Sequence, residues 1–145
     1  PQMVVTEPVP YFIEPALGVV GGDVYVRQIP RGNLIFGGRS GTANLDEGFG
    51  HAITEEILCT LQRSALVIPR MADVNIIRMW SGVEGCTPDH LPVLGSSATT
   101  PGVTHAFGFS GHGFCLGPGV GAVVSELVLD GASKTPTEAF SVSRF

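Results

Sequence analysis

The run Thr104-His-Ala-Phe-Gly-Phe-Ser-Gly-His-Gly-Phe-Cys-Leu-Gly-Pro-Gly-Val-Gly-Ala122 restricts the folds open to this chain more than any other stretch. Apolar and aromatic residues lead, as a strand over 103–109, into the turn Ser110-Gly111-His112-Gly113. Beyond Leu116 the apolar pattern continues as a helix through Leu129, with its regular part expected from about Pro118. A strand that breaks at glycines and restarts as a helix brings backbone N–H groups against a ligand. The missing side chains allow close approach. The positive end of the helix dipole favours a ligand atom that carries or develops negative charge.

The 145 residues suffice for a hydrophobic core. A net charge of −5 argues against a nucleic-acid partner or an anionic membrane surface. No apolar run is long enough to span a bilayer, and the first residues do not read as a signal peptide. Cys59, Cys86 and Cys115 are odd in number and widely spaced, which gives neither a metal pattern nor a disulfide framework and predicts a cytoplasmic setting. Charged residues make up only 14%, against about 25% in an ordinary domain, and mean hydropathy is +0.30. A chain this poor in charge exposes apolar surface when it stands alone, and it opens at Pro1 rather than at methionine. We therefore expect part of a larger polypeptide whose remainder covers that surface; a homo-oligomer is the alternative cover.

Met3–Pro10 reads as a strand ended by prolines. Asp23–Ile29 alternates with period two, turns at Pro30-Arg-Gly-Asn33 and returns along Leu34–Gly37 as a hairpin. Residues 38–50 read as a polar, glycine-rich loop. From Thr54 to Leu66, Ile57, Leu58, Leu61 and Ala65 recur at helical spacing, with Thr54 as the expected N-cap and Pro69 as the stop. Val74–Trp80 is a further strand, followed by a loop over 81–92, and Asp130-Gly131 closes the last helix. Strands and hairpins, one helix, strands and one helix make an α+β fold with a mixed, largely antiparallel sheet and flanking helices.

Two motifs fail on their chemistry. Gly117-Pro-Gly119-Val-Gly-Ala122 formally satisfies the dinucleotide fingerprint G-x-G-x-x-A. However, Pro118 removes an N–H where phosphate contacts are needed, and no further strand–helix unit follows to complete a nucleotide-binding half. Gly108-Phe-Ser110-Gly-His112 is not a hydrolase elbow, because His112 stands where glycine is required. Among the histidines, His51 and His90 lack metal-ligand spacing, and His105 reads as packed within a strand. His112 is different, since it lies inside the glycine turn and faces any ligand there. The segment Val74–Gly95, an aromatic-ended strand that enters the loop over 81–92, reads either as a rigid turn in which Asp89 caps backbone N–H groups, or as the wall of a binding pocket.

The pieces Trp80-x-Gly82, Thr87-Pro88-Asp89-x-x-Pro92-x-x-Gly95, Gly108-Phe-Ser-Gly-His-Gly-Phe114, Gly117-Pro-Gly-Val-Gly121, Phe140-Ser141 and Arg144-Phe145 occur here in order. Together they resemble the C-terminal part of the D-amino-acid-oxidase-like family of FAD-dependent oxidoreductases, whose members include sarcosine, glycine and opine oxidases. Tyr25-Val-Arg27-Gln28 and Gly37-Gly38 extend the resemblance over nearly the whole chain. It implies that residues 1–102 belong to a substrate-binding domain and that 103–145 return to the FAD-binding domain, whose N-terminal dinucleotide-binding part is absent. It implies that Ser110, Gly111, His112, Gly113 and Phe114 contact the flavin, with the start of the helix facing the ring.

Three departures from the family pattern bear on substrate. Cys115 stands where sarcosine oxidases carry a lysine. Glu84 stands where glycine and D-amino-acid oxidases place the arginine that clamps the substrate carboxylate. Gly82 stands where covalent-flavin members place a cysteine, so FAD is expected to be noncovalent. Either Glu84 pairs with a cationic group of the substrate, or it points away and Arg78 or Arg27 holds a carboxylate. The implied activity is oxidation of a small-molecule amine or amino acid such as sarcosine, glycine or an opine, with transfer of a hydride to FAD. The chain by itself is expected to be inactive and free of flavin, and to need an N-terminal FAD-binding region or a partner subunit. A noncatalytic scaffold, or a split subunit lacking its own flavin, is the alternative. No catalytic residue and no metal ligand is assigned.

Overall fold

Along strand β1 (Gln2–Pro8) burial alternates, with Gln2, Val4 and Thr6 inward and Met3, Val5 and Glu7 half-exposed, as a period of two requires. The computed structural model describes residues 1–145, and contacts divide it into two compact units, Pro1–Val83 and Glu84–Phe145.

In the first unit β1 is paired on both edges within a five-stranded sheet. With β2 (Leu17–Gly18), β3 (Tyr25–Gln28), β4 (Asn33–Gly37) and β7 (Ile76–Ser81), the order is β2-β3-β4-β1-β7, and every neighbouring pair is antiparallel. The expected hairpin is β3–β4. Gly32, at φ +94°, makes its turn, and a Cβ there would stand 2.5 Å from Val9 O. One face of the sheet buries Val4, Val26, Leu34 and Phe36, which cluster with Ile13, Ile57 and Met71.

A polar side chain completes this core. Gln28 is buried and its amide is fully engaged. Oε1 accepts from the N–H groups of Phe12 and Ile13 at 2.8 and 3.1 Å. Nε2 donates to the carbonyls of Val9, Pro10 and Gly32 at 3.2, 3.3 and 2.9 Å. The irregular segment 9–13 is thereby held without a strand of its own, which is how buried loop backbone is satisfied.

Helix α1 (Thr54–Val67) lies one residue from the sequence expectation at its start. Ile53 is the N-cap and no side chain caps it, so Thr54 is the first helical residue. The buried positions are Ile57, Thr60 and Ser64, with Leu61 and Ala65 packed beside them, whereas Leu58 is largely exposed. Two small polar residues fit inside because each hydroxyl bonds back one turn, Thr60 to Glu56 O and Ser64 to Thr60 O. Pro69 ends the helix in a 3-10 turn, Pro69–Asp73. Residues 38–50, expected as loop, contain a short hairpin, β5 (Thr42–Asn44) and β6 (Phe49–His51).

In the second unit β8 (Val93–Ser96) pairs antiparallel with β9 (Thr104–Phe107). The sequence reading missed β8, whose apolar part, Val93-Leu94, is too short to show a period. Pairing of β8 with β9 ties the segment after Val83 to the C-terminal elements. Helix α2 (Gly113–Leu129) packs against both strands. It starts five residues before the expected Pro118 and so carries that proline inside the helix, where the bond from residue 118 to Phe114 O is lost. Its only buried residue is Val123, while Phe114, Leu116, Val128 and Leu129 are exposed. The helix thus carries apolar side chains well beyond the face it buries. Glu126 accepts from Ser133 Oγ and Lys134 N–H at 2.6 and 3.0 Å beyond the helix end, and these bonds lower its pKa. No helix is long and apolar enough to cross a membrane.

Candidate functional site

Between β9 and α2 the backbone passes three times through positive φ, at Gly108 (+70°), Ser110 (+49°) and Gly111 (+89°). Glycine adopts such angles freely, but Ser110 does so at a cost, and such residues persist where the surroundings over-determine them. Here they do. Ser110 N–H donates to Gly85 O at 3.2 Å. Ser110 Oγ accepts from Thr87 N–H at 3.2 Å and donates to Gly108 O at 3.2 Å. The Ser110 hydroxyl is therefore engaged within the fold, and what the turn offers outward is backbone.

That backbone is rich in donors. His112 is the N-cap of α2, with its own N–H on Phe109 O at 3.0 Å and no side chain capping the helix. The first helical bond is Leu116 N–H to His112 O at 3.0 Å. The N–H groups of Gly113, Phe114 and Cys115 precede it and have no helical acceptor. A ligand edge bearing partial negative charge fits them, and the cradle depends on glycine. The space where a Cβ of Gly111 would stand is open, with Glu84 Oε1 nearest at 3.8 Å. Phe114 is 98% exposed, so its ring is free to lie against a ligand. His112 also lines an apolar cavity of about 480 Å³ with Leu91, Leu94, Leu116, Val120 and Phe140.

The structure thus brings Glu84 together with Ser110, Gly111, His112, Gly113 and Phe114 in one unit. Arg27 and Arg78 belong to the other. There the register aligns Arg27, Ile35, Val5 and Arg78 in one cross-strand row and Tyr25, Gly37, Met3 and Trp80 in the next. Both rows lie on the sheet face opposite the core. The Arg78 guanidinium lies 5.7 Å from the Trp80 ring centroid, and Tyr25 Oη donates to Met3 Sδ at 2.8 Å. Three strand spacings, roughly 14 Å, separate the backbones of Arg27 and Arg78. Of the other polar candidates, Arg39 is engaged by Glu56, which raises its pKa. His51 is exposed, and His105 is half-buried with its ring edge to Phe107.

The loop before β8 is the rigid turn that Asp89 suggested. Asp89 Oδ1 accepts from Leu91 N–H at 3.1 Å, and His90 takes φ +59°. Sequence reasoning missed two partners. Thr87 is buried beneath the glycine turn, and Arg144 pairs with Asp89 across 55 positions of sequence. The signal for the second was a lone arginine near the terminus of a charge-poor chain, with only one aspartate in the matching loop.

The sequence model of one protein family, FAD dependent oxidoreductase, matches residues 1–127. The hydrogen cyanide synthase subunit HcnC of Pseudomonas aeruginosa is 28% identical over 145 residues, which is 99% of this chain and 33% of that protein. Among solved structures, L-proline dehydrogenase from P. horikoshii superposes with a TM-score of 0.80 at 29% identity, covering 99% of this chain and 38% of that one. Glycine oxidase from Geobacillus kaustophilus superposes with a TM-score of 0.88 at 23% identity, covering 99% and 38%. The chain spans about a third of the length of the curated relatives it matches.

Proposed function

Because the chain belongs to the FAD-dependent oxidoreductase family, we propose that it supplies the ring-side wall of a noncovalent flavin site, and part of the substrate-facing sheet, in an enzyme that oxidises an amine or amino acid. The observation that carries this reading is the uncapped start of α2 behind a turn held at positive φ, at the positions where the family resemblance puts flavin contacts. FAD, when bound, accepts the hydride equivalent released from the carbon beside the substrate nitrogen.

The chain's own residues bind and orient. N–H groups at Gly113, Phe114 and Cys115, together with the helix dipole, favour an electron-rich ring edge. Gly111 allows the ring to approach the backbone, and Phe114 and His112 offer apolar cover. Residues from 103 onward serve the cofactor, and β8 goes with them through its pairing to β9. The open sheet face of the first unit serves the substrate, with Arg27 or Arg78 available for a carboxylate. Support for an amino-acid substrate comes from the similarity to an L-proline dehydrogenase at 29% identity. Where the substrate instead bears a cationic group, Glu84 is the residue available to pair with it.

The test is FAD titration of the polypeptide that carries this sequence at its native length, beside a Gly111→Val variant. Retained flavin in the parent is expected, with weakened retention in the variant when both are measured well below the variant's melting temperature, which the strain of a side chain at φ +89° lowers. A native-length protein that takes up no FAD, or a variant that binds it equally well, overturns the reading. The 145-residue chain alone is expected to be colourless.

A further inference from the structure

One guanidinium ties the closing segment of the chain to the loop beneath the glycine turn. Arg144 Nε donates to Asp89 Oδ2 at 2.7 Å, and Nη2 donates to Asp89 Oδ1 at 3.2 Å. Nη2 also donates to Leu91 O at 2.7 Å. Nη1 donates to the carbonyls of Phe140 and Ser141 at 2.9 and 3.0 Å. The side chain is only 15% exposed, so water competes poorly for these acceptors.

Leu91 O is shared. It also accepts from Thr87 Oγ1 at 2.7 Å, and Thr87 N–H donates onward to Ser110 Oγ at 3.2 Å. A continuous path of hydrogen bonds therefore runs from Arg144 through Leu91 and Thr87 to Ser110, the one non-glycine residue of the turn at positive φ. Arg144 is chemically suited to this, because its planar fork reaches a carboxylate and several carbonyls at once. A lysine ammonium is a single point of charge.

We propose that Arg144 is a positioning residue: through Asp89, Leu91 O and Thr87 it holds the Ser110 turn in the conformation that receives the flavin ring. This rests on the reading of that turn as the ring-side wall. A residue that only fastened the C-terminus would need Asp89 alone. The shared carbonyl extends its influence to the strained serine.

The experiment uses the native-length flavoprotein and the variants Arg144→Ala, Arg144→Lys, Thr87→Val and the double variant, with Arg63→Ala, from the ion pair with Asp23, as a control. Melting temperature, amide exchange at residues 108–112 in the flavin-free protein, FAD dissociation and the visible flavin band are measured. Arg144→Ala and Thr87→Val are each expected to quicken exchange at 110–112, weaken FAD about tenfold and displace the band, with effects that do not add in the double variant. Arg144→Lys keeps the pair with Asp89 but loses Leu91 O, so it melts near the parent temperature and still binds FAD more weakly. Arg63→Ala changes none of these at the turn. Lowered melting with unchanged exchange, affinity and band overturns the proposal, as do additive effects in the double variant. If Arg144→Ala does not fold, Arg144→Lys and Thr87→Val decide. If the parent takes up no flavin, the functional reading fails, and exchange at 110–112 still tests the linkage from Arg144 to the turn.

Discussion

A Cβ placed on Gly108 would stand 2.5 Å from Thr87 Cγ2, so the glycine turn and the loop beneath it interlock through the absence of one methyl group. Gly108 also sits at φ +70°, where any L side chain is strained. Gly108→Ala is accordingly expected to destabilise by about 1–3 kcal/mol. Urea unfolding measures it, and a change within error of zero would show that the turn has another way to close.

Within α2, Gly121 behaves oppositely. A Cβ on Gly117 or Gly121 meets nothing within 4 Å beyond the helix itself. In the 145-residue chain Gly121→Ala should stabilise α2 by about 0.5–1 kcal/mol, because glycine is the poorer helix former, whereas at Gly117 the Cδ of Pro118 crowds any Cβ placed before it. In the native-length protein the sign is expected to reverse, since the apolar face of α2 is then covered by close-packed protein. Stabilisation in both contexts would contradict a covered helix.

The Asp89 carboxyl is held well below the usual carboxylate range, first by its bonds to Arg144, then by the Leu91 N–H and the Thr87 side chain, against an opposing effect of partial burial. A depressed native pKa means that the unfolded chain binds more protons as the pH falls through about 3.9, so this contribution is present above that pH and is lost in acid. The melting curves of the parent and Asp89→Asn should therefore converge in acid and separate above about pH 4. A separation that is constant across that range would sink the assignment.

Gln28 predicts a cost within the first unit. Gln28→Leu preserves size but strands the N–H groups of Phe12 and Ile13 and the carbonyls of Val9 and Pro10, for a loss of about 2–4 kcal/mol. Chemical denaturation tests this. A neutral result would mean that segment 9–13 finds other partners.

Glu84 bears on substrate. Glu84→Gln should raise KM about two- to fivefold for amines carrying a second positive charge, and leave neutral analogues unchanged. Equal effects on both classes would remove Glu84 from substrate recognition.

Much of the framework was legible because its periods are clean. Val24 and Val26 alternate with exposed neighbours, and the glycine turn announced itself by composition alone. Other features depend on tertiary context. Helix α1 buries Thr60 and Ser64 rather than Leu58, because hydroxyls bonded back to the preceding turn are satisfied when buried, and a hydrophobicity pattern cannot show that. The start of α2 lay hidden behind Pro118, because a proline inside a helix costs a backbone bond and ordinarily marks a boundary. Arg144 and Asp89 are brought together only by the folded unit. At the site, glycine positions could be read from sequence, but the burial of Thr87 and the engagement of the Ser110 hydroxyl could not.

Hydrogen–deuterium exchange on the native-length polypeptide, with and without FAD, tests the central claim most directly. The account predicts that FAD slows exchange of the amides at residues 111–115, around the start of α2. FAD uptake that protects other amides but leaves 111–115 unchanged would contradict it.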